Sequence, residues 1–369
     1  MKLIVERDAL LRALTLAARV VARAATIPIL SHVAIQTAGR RATLIATNLD
    51  RSIVVALPVV SATGAEAATT APAAGLMAFA RATAAGSQIT IEQEEGGPLL
   101  LRAGRARASF PTLPIEDFPK IPRHDDAVAV RIAGAELAGA IERVRHAQSS
   151  EETRYYLNGI YLDPVASRLV ATDGHRLAWS AVSLTRPDAG ELAGIIIPRH
   201  AIADLAALAA EAGDDRVELE ISPTSLRLEV DGVELQTKLV DGTFPDYQRV
   251  IPTENVCRFR VDRAELVASA ARCTALTNDG NRGIRLHVAD GTAQLTHKSP
   301  DGGEIDDAID AQLETPPAET GFNGKYLAGT LDALDGDTVE IEFTPGGPIL
   351  LRDPADRDGQ LQVVMAMRI

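Results

Sequence analysis

The residues best suited to acid–base chemistry are Asp173, His175 and Arg176, which stand together in VATDGHRLA at Val170 to Ala178. A histidine beside a carboxylate can pass a proton. That reading goes no further. TDGH has the composition of a tight turn in which Gly174 supplies the backbone shape, and no serine, cysteine or metal-ligand partner stands at a useful spacing. GFNGKY, from Gly321 to Tyr326, lacks the GxxxxGK[ST] spacing of a phosphate loop, and no GxGxxG occurs. Cys257 and Cys273 have no CxxC spacing, so neither a disulfide framework nor a zinc site is expected, and a reducing cytoplasm is the default compartment. No metal and no cofactor is expected. Binding chemistry is better represented. Arg12, Arg19 and Arg23 recur at i, i+7 and i+11 on one side of a predicted helix whose other side is Leu and Val, and Arg143, Arg145 and His146 do similarly further on. Such a row can neutralise phosphates; it is also what the wet face of any amphipathic helix looks like.

The elements that carry these residues recur three times, roughly 125 residues apart. Leu10, Leu137 and Leu266 each sit early in an apolar-periodic helix, and Thr47, Thr172 and Thr296 each close a strand 30 to 37 residues later. Pro72, Pro198 and the Asn323-Gly324 pair open a second helix in each copy, and Phe118-Pro119 and Phe244-Pro245 end the first two. The periodicity predicts helices over 8–23, 73–84, 135–148, 198–212, 263–276 and 324–334. Alternating runs such as HVAIQT, ATLIAT and RSIVVAL predict strands, with Gly39-Arg40 turning between two of them. The expected fold class is α+β, six helices on one face of three antiparallel-rich sheets, in domains 1–125, 126–252 and 253–369.

Composition narrows the function classes. With 46% hydrophobic and 24% charged residues and no apolar stretch of about 18, the chain reads as globular with no membrane partner. MKLIVERDALL carries acid too early for an export signal. The net charge of −13 is unevenly spread: the six predicted helices hold 10 Lys and Arg against 7 Asp and Glu, so the remainder carries −16. If those helices line a common surface, that surface is positive. A repeat scaffold that binds only proteins is the competing class, and it requires no cationic helical face.

RYYLNGIYL at Arg154 to Leu162, VATDGHRLA, TKLVDGTFPDYQRVIP at Thr237 to Pro252 and VVMAMRI at Val363 to Ile369 decide between these classes. With PILS and AGRARASFPTLP before them and IIPR and GFNGKY among them, all in order, the whole chain resembles the family of bacterial DNA polymerase III beta subunits, the sliding clamps. The resemblance implies a head-to-tail homodimer whose six domains ring double-stranded DNA without reading its sequence. It also implies tethering of the polymerase with no catalysis of its own. It assigns Arg12, Arg19, Arg23, Arg143, Arg145, Tyr155, Tyr156 and Arg199 to DNA. It further implies a hydrophobic cleft between the second and third domains for short peptides of the replicative polymerase alpha subunit, the clamp loader, other polymerases and repair proteins. The cleft would be lined by Leu157, Thr172, Gly174, His175, Arg176, Leu177, Pro245, Arg249, Val250, Asn323, Tyr326, Val363, Val364, Met365, Met367 and Arg368. Methionines would give it an adaptable wall. The chain departs from the family pattern at Ala366, where proline is common, at Asn281, a position often bulky, and at Arg23, offset by one residue. Read without the resemblance, VVMAMRI is a strand with alternating burial.

Overall fold

In KLIVE, Leu3 and Val5 are buried while Lys2 is exposed, and this period of two is what lets a short segment serve as a strand with one wet face. The same alternation recurs in RVELEI and TAQLTHK. The structure is a computed structural model that describes every residue except 23–25, 64–65, 187–191, 278–281 and 301.

Six helices are described: α1 Arg7–Ala17, α2 Ala73–Ala82, α3 Gly134–Val144, α4 Arg199–Glu211, α5 Arg263–Thr274 and α6 Gly324–Asp332. Each buries one stripe; Leu10, Ala13, Leu14 and Ala17 of α1 and Leu137, Ala140, Ile141 and Val144 of α3 are in the core. Several are shorter than expected at their ends. After Ala17 the backbone bonds tighten to i→i−3 at Arg19 and Val20, and Arg145–Ala147 form a separate 3₁₀ turn. Arg19 and Arg145 therefore lie beyond the helices, and the observed helices hold 8 Lys and Arg against 7 Asp and Glu. The positive balance expected of the helices is mostly lost, because the cations sit on the segments that follow them. In the third copy Thr296 does not close its strand, which runs on to Lys298.

The chain packs as two compact units, and the division falls inside the middle repeat. The first holds Met1–Arg131 and Ala207–Leu239; the second holds Ile132–Thr185, 192–206 and Val240–Ile369. In the first unit α1 packs on α2, beside a five-stranded sheet and the main body of an eight-stranded one. In the second, a nine-stranded and a four-stranded sheet enclose a core led by Phe259, Phe322 and Phe343, with α5 against α6.

Four sheets are thus described where three were expected, because strands pair across repeat boundaries. Val233–Lys238 of the middle repeat pairs antiparallel with Arg51–Leu57 of the first, in the register Thr237↔Arg51. Gln360–Val364 of the last pairs with Arg176–Ala181 of the middle, in the register Val364↔Arg176. Two strands equivalent to these, Ala106–Phe110 of the first repeat and Glu304–Asp310 of the third, each end their sheet, with one side unpaired among the described residues.

Candidate interaction sites

The Arg176–Ala181 and Gln360–Val364 pairing brings the TDGHR turn beside the strip Met365–Ile369, all within the second unit. The turn builds itself. Asp173 Oδ1 accepts the amides of His175 and Arg176, each at 2.9 Å, while Thr172 Oγ1 donates to the Arg176 carbonyl at 2.7 Å and accepts the Gly174 amide at 3.1 Å. Gly174 has φ +86°, and a Cβ there would lie 2.8 Å from Nη1 of Arg154. The positive φ favours glycine, while the end of the flexible Arg154 side chain would only have to shift. Asp173 also pairs with Arg176 through Oδ2 at 3.1 Å. Its carboxylate is consumed in shaping the turn, which removes the acid–base reading of Asp173 with His175.

His175 stacks on Tyr326 of α6, with ring centroids 5.9 Å apart, and the Arg176 guanidinium lies 4.8 Å from the same ring. Tyr326 is held at the start of α6 by the Asn323 cap, whose Oδ1 accepts the Lys325 amide at 3.0 Å. On the other side of the turn, the Met365 amide donates to the His175 carbonyl at 2.9 Å and the Met367 amide to the Gly321 carbonyl at 2.7 Å. Ala366 bridges to Phe322. Hydrogen bonds on both sides of Ala366 thus hold the strip without a proline there.

The residues named for the cleft divide by depth. Leu157, Leu177 and Val363 are buried with Trp179, Phe244, Tyr247 and Leu361 in one apolar cluster, which forms a floor. Val364 is buried in the other cluster, with Phe259 and Phe322, because adjacent strand residues point to opposite faces. Val364, named for the cleft lining, thus faces away from the cluster that holds Val363. Thr172 is also buried, while His175, Gly174, Pro245, Arg249 and Arg368 are exposed, and Asn323 and Tyr326 half-buried. Val250 (47% exposed), Met365 (38%) and Met367 (41%) give the rim its apolar surface. Arg249 pairs with Asp246, three residues earlier, at 2.8 Å.

Sequence reasoning missed Arg154, whose position over Gly174 has no signature in the chain, and the floor residues Trp179, Phe244 and Tyr247. The FPDY run did offer a signal, two aromatics in a polar stretch. Behind the floor, Tyr161 stacks on Phe244 at 4.7 Å and the Tyr247 hydroxyl donates to Asp163 at 3.0 Å.

The residues assigned to DNA are scattered and mostly engaged. Arg12 pairs with Glu211 at 2.8 Å, Arg143 with Asp335 at 2.7 Å and Arg145 with Glu142 at 3.0 Å; Arg199 donates to the Ser149 carbonyl at 3.0 Å. Arg19 is exposed, and Arg23, like Asn281, lies outside the described residues. His146 is no part of a cationic row. Burial and the neighbouring Arg176 push its pKa down to about 4, so the ring is neutral at pH 7. Tyr155 and Tyr156 lie in a 3₁₀ segment, Glu152–Leu157. Tyr155 is 54% exposed, while Tyr156 packs against the groove-floor cluster.

This groove lies on a chain whose three stretches match three family models in order. Residues 1–122 match the N-terminal domain of the DNA polymerase III beta subunit, 131–246 the central domain and 248–368 the C-terminal domain. The chain belongs to the DNA polymerase III beta subunit family. It is 35% identical over 378 residues to the beta sliding clamp of Caulobacter vibrioides, with each chain covered in full. Among solved structures, the DNA polymerase III subunit beta of Pseudomonas aeruginosa superimposes with a TM-score of 0.93 at 32% identity, over all of both chains. A sliding clamp of Bartonella birtlesii bound to griselimycin does so with a TM-score of 0.92 at 33% identity, again over both chains in full. The chain is a sliding clamp, a processivity factor without catalytic activity, built of three clamp domains with antiparallel sheets. Among the described residues, no helix is long and apolar enough to cross a membrane.

Proposed function

We propose that two copies of this chain close head to tail into a ring around double-stranded DNA in the cytoplasm, tethering the replicative polymerase. The observation that carries this reading is the strand pairing repeated at both repeat boundaries. The fourth strand of one repeat pairs with the last strand of the next repeat, once at Arg51–Leu57 and once at Arg176–Ala181. Continuing that pattern, Glu304–Asp310 of one copy takes Ala106–Phe110 of another. Glu304, Asp306 and Asp310 are exposed on the first edge, and Arg102, Arg105 and Arg107 on or beside the second, so the edges attract. A heterologous contact of this kind makes a ring when its rotation closes, and six domains of about 125 residues, divided at 1–125, 126–252 and 253–369, suit closure.

Arg12, Arg19, Arg23, Arg143, Arg145, Arg199, Tyr155 and Tyr156 would serve the DNA. Exposed ion pairs such as Arg12–Glu211 contribute on the order of 0–1 kcal/mol, so their guanidinium groups can exchange a carboxylate for a phosphate at little cost. No base edge needs to be read, which is what sliding requires. The groove would take short peptides of the polymerase alpha subunit, the clamp loader, other polymerases and repair proteins. Its support is an apolar floor under a rim of methionines, His175, Arg176 and Tyr326.

The test of the ring contact is a charge swap. Arg107→Glu is expected to give monomer by sedimentation at micromolar concentration, and adding Asp306→Arg to restore the dimer. A monomeric wild-type chain, or an Arg107→Glu variant that stays fully dimeric, overturns this interface. The groove is tested by titrating griselimycin, the ligand of the Bartonella birtlesii structure, against the fluorescence of Trp179, the sole tryptophan. A saturable change lost in His175→Glu is expected.

A further inference from the structure

Gly283 and Gly321 sit on neighbouring strands of the four-stranded sheet, in Gly283–Ala289 and Ala318–Asn323. What occupies the space their missing side chains leave is Ile369. A Cβ on Gly321 would lie 2.5 Å from Cγ1 of Ile369 and 2.6 Å from the Met367 carbonyl oxygen; one on Gly283 would lie 3.3 Å from the same Cγ1. Neither glycine has a positive φ, so backbone conformation does not explain them. Close approach of another chain segment does.

The segment so approached carries the rim of the groove. Between Val364, fixed in the nine-stranded sheet, and Ile369, the backbone bonds of the strip among the described residues are those of the Met365 and Met367 amides, the latter within the bridge at Ala366. Met365 and Met367 themselves are two-fifths exposed. Ile369 is 57% exposed, yet its buried part lies on bare backbone of two strands at once.

We propose that Ile369 is a positioning residue for the peptide groove, an anchor whose seat on Gly283 and Gly321 holds Met365 and Met367 at the rim. It touches no partner; it sets the fraction of molecules whose rim is formed. This inference rests on the groove being the peptide site. Apparent affinity scales with the competent fraction, so a strip held in a tenth of the molecules binds about tenfold more weakly.

The experiment uses the full chain labelled with ¹³C-methyl methionine, which gives signals only from Met1, Met77, Met365 and Met367. Griselimycin is titrated in parallel. Ile369→Ala and Gly321→Ala are each expected to move the Met365 and Met367 signals toward free-chain positions, leave Met1 and Met77 unmoved, and weaken binding about tenfold. Ile369→Val, which keeps the branched Cβ, should fall between Ala and wild type. Unmoved signals in Ile369→Ala overturn the proposal, as do moved signals with unchanged affinity. If wild type itself binds no griselimycin, the groove reading is what fails, and the methionine signals still decide whether Ile369 holds the strip.

Discussion

Gly174 stands in a backbone conformation that a side chain would strain. Its φ of +86° costs an L-residue on the order of 1 kcal/mol, and a Cβ would lie 2.8 Å from the end of the flexible Arg154 side chain, which would shift. Gly174→Ala is therefore expected to lower stability by about 1–2 kcal/mol and to weaken peptide binding further, since the turn displaces His175. Parallel urea melts and titrations check both. His146 supplies a pH dependence. Its folded pKa of about 4 lies below the ordinary 6.5, so between these values the unfolded chain takes up a proton that the folded chain refuses. Stability conferred by the neutral ring is complete above pH 6.5 and is lost as pH falls toward 4, by at most about 3 kcal/mol. His146→Gln should flatten that loss, measured as the difference in urea midpoint between pH 7 and 4.5. At this scale the TDGHR turn was legible, because its residue types dictate its hydrogen bonds. His146 was misread as a surface cation, since the i, i+3 spacing that places it beside Arg143 cannot show that the helix ends at Val144.

The elements were legible wherever one face is wet. All six helices were expected, and their errors lie at the C-terminal ends, where Val20 and the Arg145–Ala147 turn leave the α-helical bond pattern. What could not be read was the pairing of Arg176–Ala181 with Gln360–Val364, nearly two hundred residues apart, because alternation fixes which face is buried and says nothing about the neighbour. That pairing joins the groove floor to its rim. Leu177→Ala, which removes a floor side chain only 2% exposed, is expected to cost about 2–5 kcal/mol and to weaken griselimycin binding, as measured by melts and fluorescence of Trp179. An unchanged melting curve would show that the floor is not a packed core.

For the molecule as a whole, the net charge of −13 coexists with a DNA-encircling role only if attraction is local to the cations that face the duplex. Replacing Arg12, Arg19, Arg145 and Arg199 by Glu should leave griselimycin binding intact. Each arginine that met a phosphate should lower the salt dependence of DNA binding by about one unit of slope. A protein-only scaffold would show no such change. The threefold repeat was plain in the sequence, whereas the strands that end their sheets emerged only from the order of strands in the sheets. The most direct test of the ring is loader-dependent retention of labelled protein on nicked circular DNA, before and after one restriction cut makes the circle linear. Release on cutting is the predicted result, since a ring slides off an end. Equal retention on circle and line would contradict the account.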